Sequence, residues 1–153
     1  MKALLLSNST NYGASYMEHA KEAVAHFLGD AKEVLFIPYA GVTVSYDQYE
    51  ETVQNALKAF GVTITSIHKH SDPIQAIREA KSIAIGGGNT FRLVQLLQDQ
   101  KLMEPIREAV ANGTPYVGWS AGSNVAGLTL CTTNDMPIVQ PQSFDCLGLV
   151  PYQ

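Results

Sequence analysis

Short apolar runs alternate with longer one-faced stretches along most of the chain. KALLLS (2–7), EVLFIP (33–38), VTITSIH (62–68), SIAIG (82–86) and PYVGW (115–119) are brief, leucine-rich or β-branched, and not strictly alternating. That pattern predicts strands covered on both faces, because a strand with one wet face would alternate apolar and polar positions. The segments between them, about 14–28, 46–60, 72–80, 89–98 and 101–111, predict helices. In the second, Tyr49, Val53, Ala56, Leu57 and Phe60 recur at three and four residues, a stripe on one helical face. Gly29, Gly61 and the Asn112-Gly113 pair stand where helices should stop, and Asp72-Pro73 reads as a cap followed by a first-turn proline.

Strands alternating with helices imply right-handed crossovers and an α/β fold, a parallel sheet flanked by helices on both faces. Such sheets bind ligands at the carboxyl ends of their strands, so the loops after the strands are where chemistry is sought. No repeat, low-complexity tract or linker divides the chain, and 153 residues fit one domain, 1–153. After residue 126 the pattern changes. Short apolar pieces are broken by Pro137, Pro141 and Pro151, and no helix of useful length is predicted.

Composition narrows the partners. With 46% apolar and 16% charged residues the chain is globular, and a net charge of −4 argues against nucleic acid or an anionic membrane, both of which need a basic footprint. No apolar run approaches the roughly 18 residues of a membrane span, and MKALLLSNST reads as a first buried strand, not a signal peptide. Cys131 and Cys146 form neither a C-x-x-C pair nor a disulfide framework, which fits free thiols in a reducing cytoplasm. Metal ligands are not clustered, and neither metal nor cofactor is expected. Arg107 is the last basic residue, and from Glu108 onward the only charges are Glu108, Asp135 and Asp145. A stretch so poor in charge should be interior. Further protein, a missing C-terminal segment or a neighbouring chain, is therefore expected to cover residues 108–153.

Gly118-Trp119-Ser120-Ala121-Gly122 is G-x-S-x-G between a predicted strand and a short predicted helix. In that context the turn can lift the Ser120 hydroxyl above the sheet, with the Ala121 N–H facing the same spot. The plainer reading is a serine N-cap beside packing glycines. IAIGGGNTF (83–91) ends another strand in three glycines before a helix. Beside Ser120, its Gly88 N–H would join that of Ala121 in an oxyanion hole; a phosphate cradle or a mere tight turn are the alternatives. SNSTNYG (7–13), after the first strand, carries a rival function: a non-catalytic α/β module binding a phosphate-bearing ligand. Capping by Ser9 or Thr10 explains it equally well. His19 and His26 fall in the first predicted helix. His68 and His70 flank Lys69 at a strand end, where either could approach Ser120 or simply be solvated.

LLLSNST, FIPYAGVT, IAIGGGNTF, GWSAGSN and TTNDMPIV, in that order, resemble the peptidase E family, aspartyl dipeptidases among the serine peptidases with a class I glutamine amidotransferase-like fold. The resemblance implies that Ser120 is the nucleophile and Asp135 the acidic member of a triad, acting on dipeptides with N-terminal aspartate. It also implies a catalytic histidine in an N-P-H setting shortly beyond Gln153, and an arginine for the substrate aspartate in the same later region. The chain resembles the first two-thirds of a family member. The expectation is a fold incomplete at its C-terminal end and a polypeptide inactive alone.

Overall fold

The computed structural model describes residues 1–152; Gln153, the point beyond which the resemblance puts the histidine, lies outside the described residues. Five parallel strands form the sheet: β1 (Ala3–Leu6), β2 (Glu33–Ile37), β3 (Thr63–Ser66), β4 (Ser82–Ile85) and β5 (Tyr116–Trp119). Their spatial order is β1-β5-β4-β2-β3. In register, Ala3 lies beside Tyr116, Tyr116 beside Ile83, Ile83 beside Leu35 and Leu35 beside Thr65. Successive side chains on a strand point to opposite faces, so this row and its neighbour row build two separate cores.

Leu35, Ile37, Ile83, Ile85 and Tyr116 face α3 (Pro73–Glu79), α4 (Thr90–Asp99) and α5 (Met103–Ala111), which contribute Ile77, Leu93, Leu97, Ile106 and Val110. Val34, Phe36, Ala84, Val117 and Trp119 face α1 (Lys21–Leu28) and α2 (Tyr46–Leu57) through Val24, Leu28, Val53 and Leu57. Each valine, leucine, isoleucine and phenylalanine among them, fully buried, contributes about 1.5–3 kcal/mol. This is the predicted α/β sheet with helices on both faces. Asp72 and Asn89 cap α3 and α4, each accepting a backbone N–H at 3.0 Å.

The first helix departs from expectation. It begins at Lys21, not near residue 14, because Met17 takes φ 56° and is wholly buried, its N–H donating to Ser9 O at 2.6 Å. Tertiary burial of one side chain overrides the local propensity.

Residues beyond 126 are stitched back onto the domain. Leu147 and Leu149 donate to Val125 and Ala126 carbonyls, and Arg107 reaches Cys146 O and Leu147 O at 2.8 and 2.9 Å. The chain thus buries Leu130, Cys146, Leu147 and Leu149 by itself, but leaves Leu128, Met136, Ile138, Phe144 and Tyr152 exposed, together with Leu5 on edge strand β1. No helix among the described residues is long and apolar enough to cross a membrane.

Candidate active site

Strands β5 and β4 lie inside the sheet, and the chain leaves both toward the face of α3 to α5, whereas β1 and β2 on either side lead to the opposite face. Loops therefore diverge around the carboxyl ends of β5 and β4 and leave a crevice there. A cavity of about 340 Å³ opens at this place, lined by Ser9 after β1, Gly41 to Val44 after β2, Gly87 and Gly88 after β4, and Ser120 after β5. Tyr16, Tyr49 and Thr52 complete the wall, and no charged side chain among the described residues lines it.

Ser120 separates β5 from the one-turn helix α6 (Ala121–Asn124) and holds φ 53° and ψ −116°. A non-glycine residue in that region is strained, and the surroundings must enforce it. They do so through three contacts. Ser120 N–H donates to Leu6 O at 3.0 Å, and Ser123 Oγ donates to Leu6 O and Gly118 O at 2.7 and 2.9 Å. A Cβ on Gly118 would overlap the Gly122 carbonyl, and one on Gly122 would overlap that of Ile85, so both glycines of the motif are required by close backbone approach. Ser120 makes no side-chain cap bond; the N-cap reading does not apply.

The β4 loop closes over the serine. Gly86 N–H donates to Ile37 O at 3.2 Å and Asn89 N–H to Ala40 O at 2.8 Å, which pins the loop to the end of β2. Gly88 sits at φ 139°, where a Cβ would run into the Ala40 carbonyl. A Cβ on Gly87 would stand 2.9 Å from Ser120 Cβ and 3.4 Å from its Oγ, so this peptide lies directly against the serine. The N–H groups of Gly88 and Ala121 have no acceptor among the described residues.

Asp135 is held at the start of α4. Its Oδ2 accepts Thr90 N–H at 2.7 Å, Thr90 Oγ1 at 2.6 Å and Thr133 Oγ1 at 3.0 Å. Asn89 Nδ2 binds Met136 O at 2.7 Å, so residues 133–136 are fastened to the helix N-terminus, where negative charge is favoured. From α6, Asn124 Nδ2 reaches Thr90 Oγ1 at 3.3 Å. Asp135 is thus linked to the Ser120 turn through Thr90 and Asn124, not by a direct bond. Thr90 and Asn124 escaped the sequence reading; Thr90 stood in a flagged motif, but its partner is 45 residues away.

The histidines lie elsewhere. His68 occupies a 3-10 turn after β3, the far edge strand, three strand spacings or roughly 14 Å from β5. Both its ring nitrogens are engaged, with Ser66 Oγ at 2.7 Å and Asp47 Oδ1 at 3.1 Å. The hydrogen bond from His68, with help from Lys69, holds the Asp47 carboxyl below its usual range. His70 lines a separate opening under β2 and β3. Neither belongs to the Ser120 cavity. The 7–13 loop is not a helix-opening phosphate loop either: α1 starts at Lys21, its N-cap Ala20 offers no side chain, and Asn8 instead bonds Asn11 at 3.0 Å. Of this loop, Ser9 alone lines the cavity. No cluster of three or more His, Cys, Asp or Glu able to hold a metal ion occurs among the described residues.

Comparison with known proteins identifies relatives along the whole chain. The chain is 52% identical over 153 residues to peptidase E of Shewanella denitrificans, covering 100% of this chain and 65% of that protein. It is 50% identical over 156 residues to peptidase E of Haemophilus influenzae, covering 100% and 72%. The chain thus spans about two thirds of the length of these curated relatives. A crystal structure of a Listeria monocytogenes protein, described provisionally as a peptidase E, superposes with TM-score 0.75 at 28% identity over 99% of this chain and 76% of that one. A peptidase from an acI-B1 actinobacterium, at 17% identity and TM-score 0.71, shares the fold over 96% of this chain and 64% of its own. The profile of peptidase family S51 matches residues 3–153, and the chain belongs to that family.

Proposed function

We propose that this chain carries the nucleophile and oxyanion hole of a cytoplasmic serine-type dipeptidase that cleaves dipeptides with N-terminal aspartate through an acyl-enzyme. The observation that carries the reading is Ser120 itself, held at φ 53° on the turn between β5 and α6, on a cavity lined by the peptides of Gly87 and Gly88. Strain kept at a serine whose hydroxyl lines a cavity is the mark of a nucleophile elbow. Ser120 Oγ would attack the scissile carbonyl. The N–H groups of Gly88 and Ala121 would hold the resulting oxyanion, where one such donor contributes about 3–4 kcal/mol to the transition state.

The proton must leave Ser120 for a base, and no histidine among the described residues lines the cavity. In this reading the base is a histidine outside the described residues, with Asp135 as the acid that orients it, and the chain alone is inactive. An arginine for the substrate aspartate belongs to the same outside region; the uncharged cavity is consistent with that need. Further protein would also cover Leu5, Leu128, Met136, Ile138 and Phe144. The only partner required otherwise is the small peptide.

The test is Ser120→Ala in a form of the protein extended to the length of its relatives, assayed on Asp-Leu and Ala-Leu. Loss of several orders of magnitude in kcat on Asp-Leu, with no turnover of Ala-Leu before or after, is expected. Retained turnover of Asp-Leu in the variant would overturn the reading.

A further inference from the structure

Tyr49 belongs to the apolar stripe of α2, yet its hydroxyl makes bonds that phenylalanine could not. It donates to Gly87 O at 3.0 Å and accepts the indole N–H of Trp119 at 3.1 Å. Gly87 lies in the loop after β4, and Trp119 immediately precedes Ser120. One oxygen on α2 therefore fastens both halves of the candidate site, the glycine loop and the serine turn, from beneath.

The packing is close enough for this bond to matter. A Cβ on Gly86 would stand 2.6 Å from the Tyr49 oxygen, so the loop has shed a side chain to admit the hydroxyl. The peptide that Tyr49 holds is the one against which Ser120 Cβ rests. The ring has little freedom: Phe36 meets it edge-on at 5.0 Å and 83°, and Phe36 in turn stacks on Trp119 at 5.7 Å and 9°. Burial raises the Tyr49 phenol above its ordinary range, so the proton donated to Gly87 O stays in place at working pH. Releasing Gly87 would let the following Gly88 amide drift relative to Ser120.

We propose that Tyr49 is a positioning residue for hydrolysis: its hydroxyl fixes the Gly87–Gly88 peptide against the Ser120 turn and so sets the oxyanion-hole geometry. This inference rests on Ser120 being the nucleophile. It requires that the hydroxyl act on the transition state more than on substrate binding, because the Gly88 donor works fully only once the oxyanion forms.

Tyr49→Phe keeps the ring and its packing and removes only the oxygen. In the protein extended to its relatives' length, kcat should fall about 10- to 100-fold while KM stays within about threefold, since a displacement on the order of 1 Å has that scale of cost. Trp119→Phe, which deprives the hydroxyl of one of two bonds, should give a smaller loss of the same kind. The 153-residue chain has one tryptophan, so its single indole N–H resonance reports the bond directly and should shift and exchange faster in Tyr49→Phe. A merely structural hydroxyl would lower the melting temperature and leave kcat untouched; that result overturns the proposal. If Ser120→Ala retains turnover, the nucleophile reading falls and this inference with it. If Ser120→Ala abolishes turnover but Tyr49→Phe keeps kcat within twofold, only the inference about Tyr49 fails.

Discussion

Thr90 gives both its backbone N–H and its hydroxyl to a single oxygen of Asp135, at 2.7 and 2.6 Å. With Thr133 as third donor, Oδ2 is saturated, and only Oδ1 is left to face another group. An acid arranged this way both braces a loop and is able to orient a base. Asp135→Asn separates the two roles. The amide can turn its oxygen to the three donors, but a neutral oxygen accepts more weakly than a carboxylate, so the brace should weaken by about 1–3 kcal/mol. For a chain of this size that is roughly 2–4 °C of melting temperature per kcal/mol. Thr90→Val, which removes one donor and leaves the carboxylate, should lower the melting temperature less. An orienting role predicts that Asp135→Asn also reduces kcat on Asp-Leu far more than Thr90→Val does.

Ser120 should be a site where function costs stability. Glycine adopts φ 53° without strain, so Ser120→Gly is expected to raise stability by about 1 kcal/mol, read as a higher melting temperature of the 153-residue chain. An unchanged or lower melting temperature would show that the turn is not strained.

His68 and His70 sit at the far edge of the sheet from Ser120. In the extended protein His68→Ala and His70→Ala should keep kcat on Asp-Leu within about twofold. His68→Ala should cost a little stability through its lost contacts to Ser66 and Asp47, seen in a melting curve. A kcat loss of several orders of magnitude would move the base back into this chain.

The two thiols should behave oppositely. Cys131 is exposed and Cys146 buried, so a disulfide reagent should modify Cys131 quickly and Cys146 only on unfolding. Burial, reinforced by the neighbouring Asp145 charge, pushes the Cys146 thiol up to about 12. The folded state thus holds that proton more tightly than the unfolded chain. Its contribution to stability is complete below about 9 and is lost as pH rises towards 12, by about 1.4 kcal/mol per unit. Melting temperature should therefore fall more steeply between pH 9 and 10.5 in the parent than in Cys146→Ala.

Leu5, Leu128, Met136, Ile138 and Phe144 are large apolar side chains that stay exposed. If further protein covers them, a hydrophobic dye should bind the 153-residue chain more strongly than a form extended to its relatives' length. Equal dye binding by the two forms would leave these side chains uncovered in both.

The strands, the cap of α3 and the serine turn were legible because each is written locally. The interior strands β2, β4 and β5 are buried as their apolar runs predict, whereas β1 and β3, expected to be covered on both faces, are edge strands that expose Leu5, Thr63 and Thr65; a proline after aspartate needs no distant partner. The motif around Ser120 could be read because two glycines flank it, although the tertiary reason for them is long-range: Gly122 leaves room for the carbonyl of Ile85, which no local pattern reveals. Met17 shows the opposite case, a helical stretch broken by a bond to Ser9 and by complete burial. Tyr49 read correctly as one position of a core stripe, but periodicity sees a ring and not an oxygen. The choice of Gly87 and Trp119 as partners for that oxygen, of Thr90 for Asp135, and of the far edge for His68 depends on strand order. That order is fixed by which faces the crossovers bury together, and so tertiary packing alone decided which of the marked residues share a site.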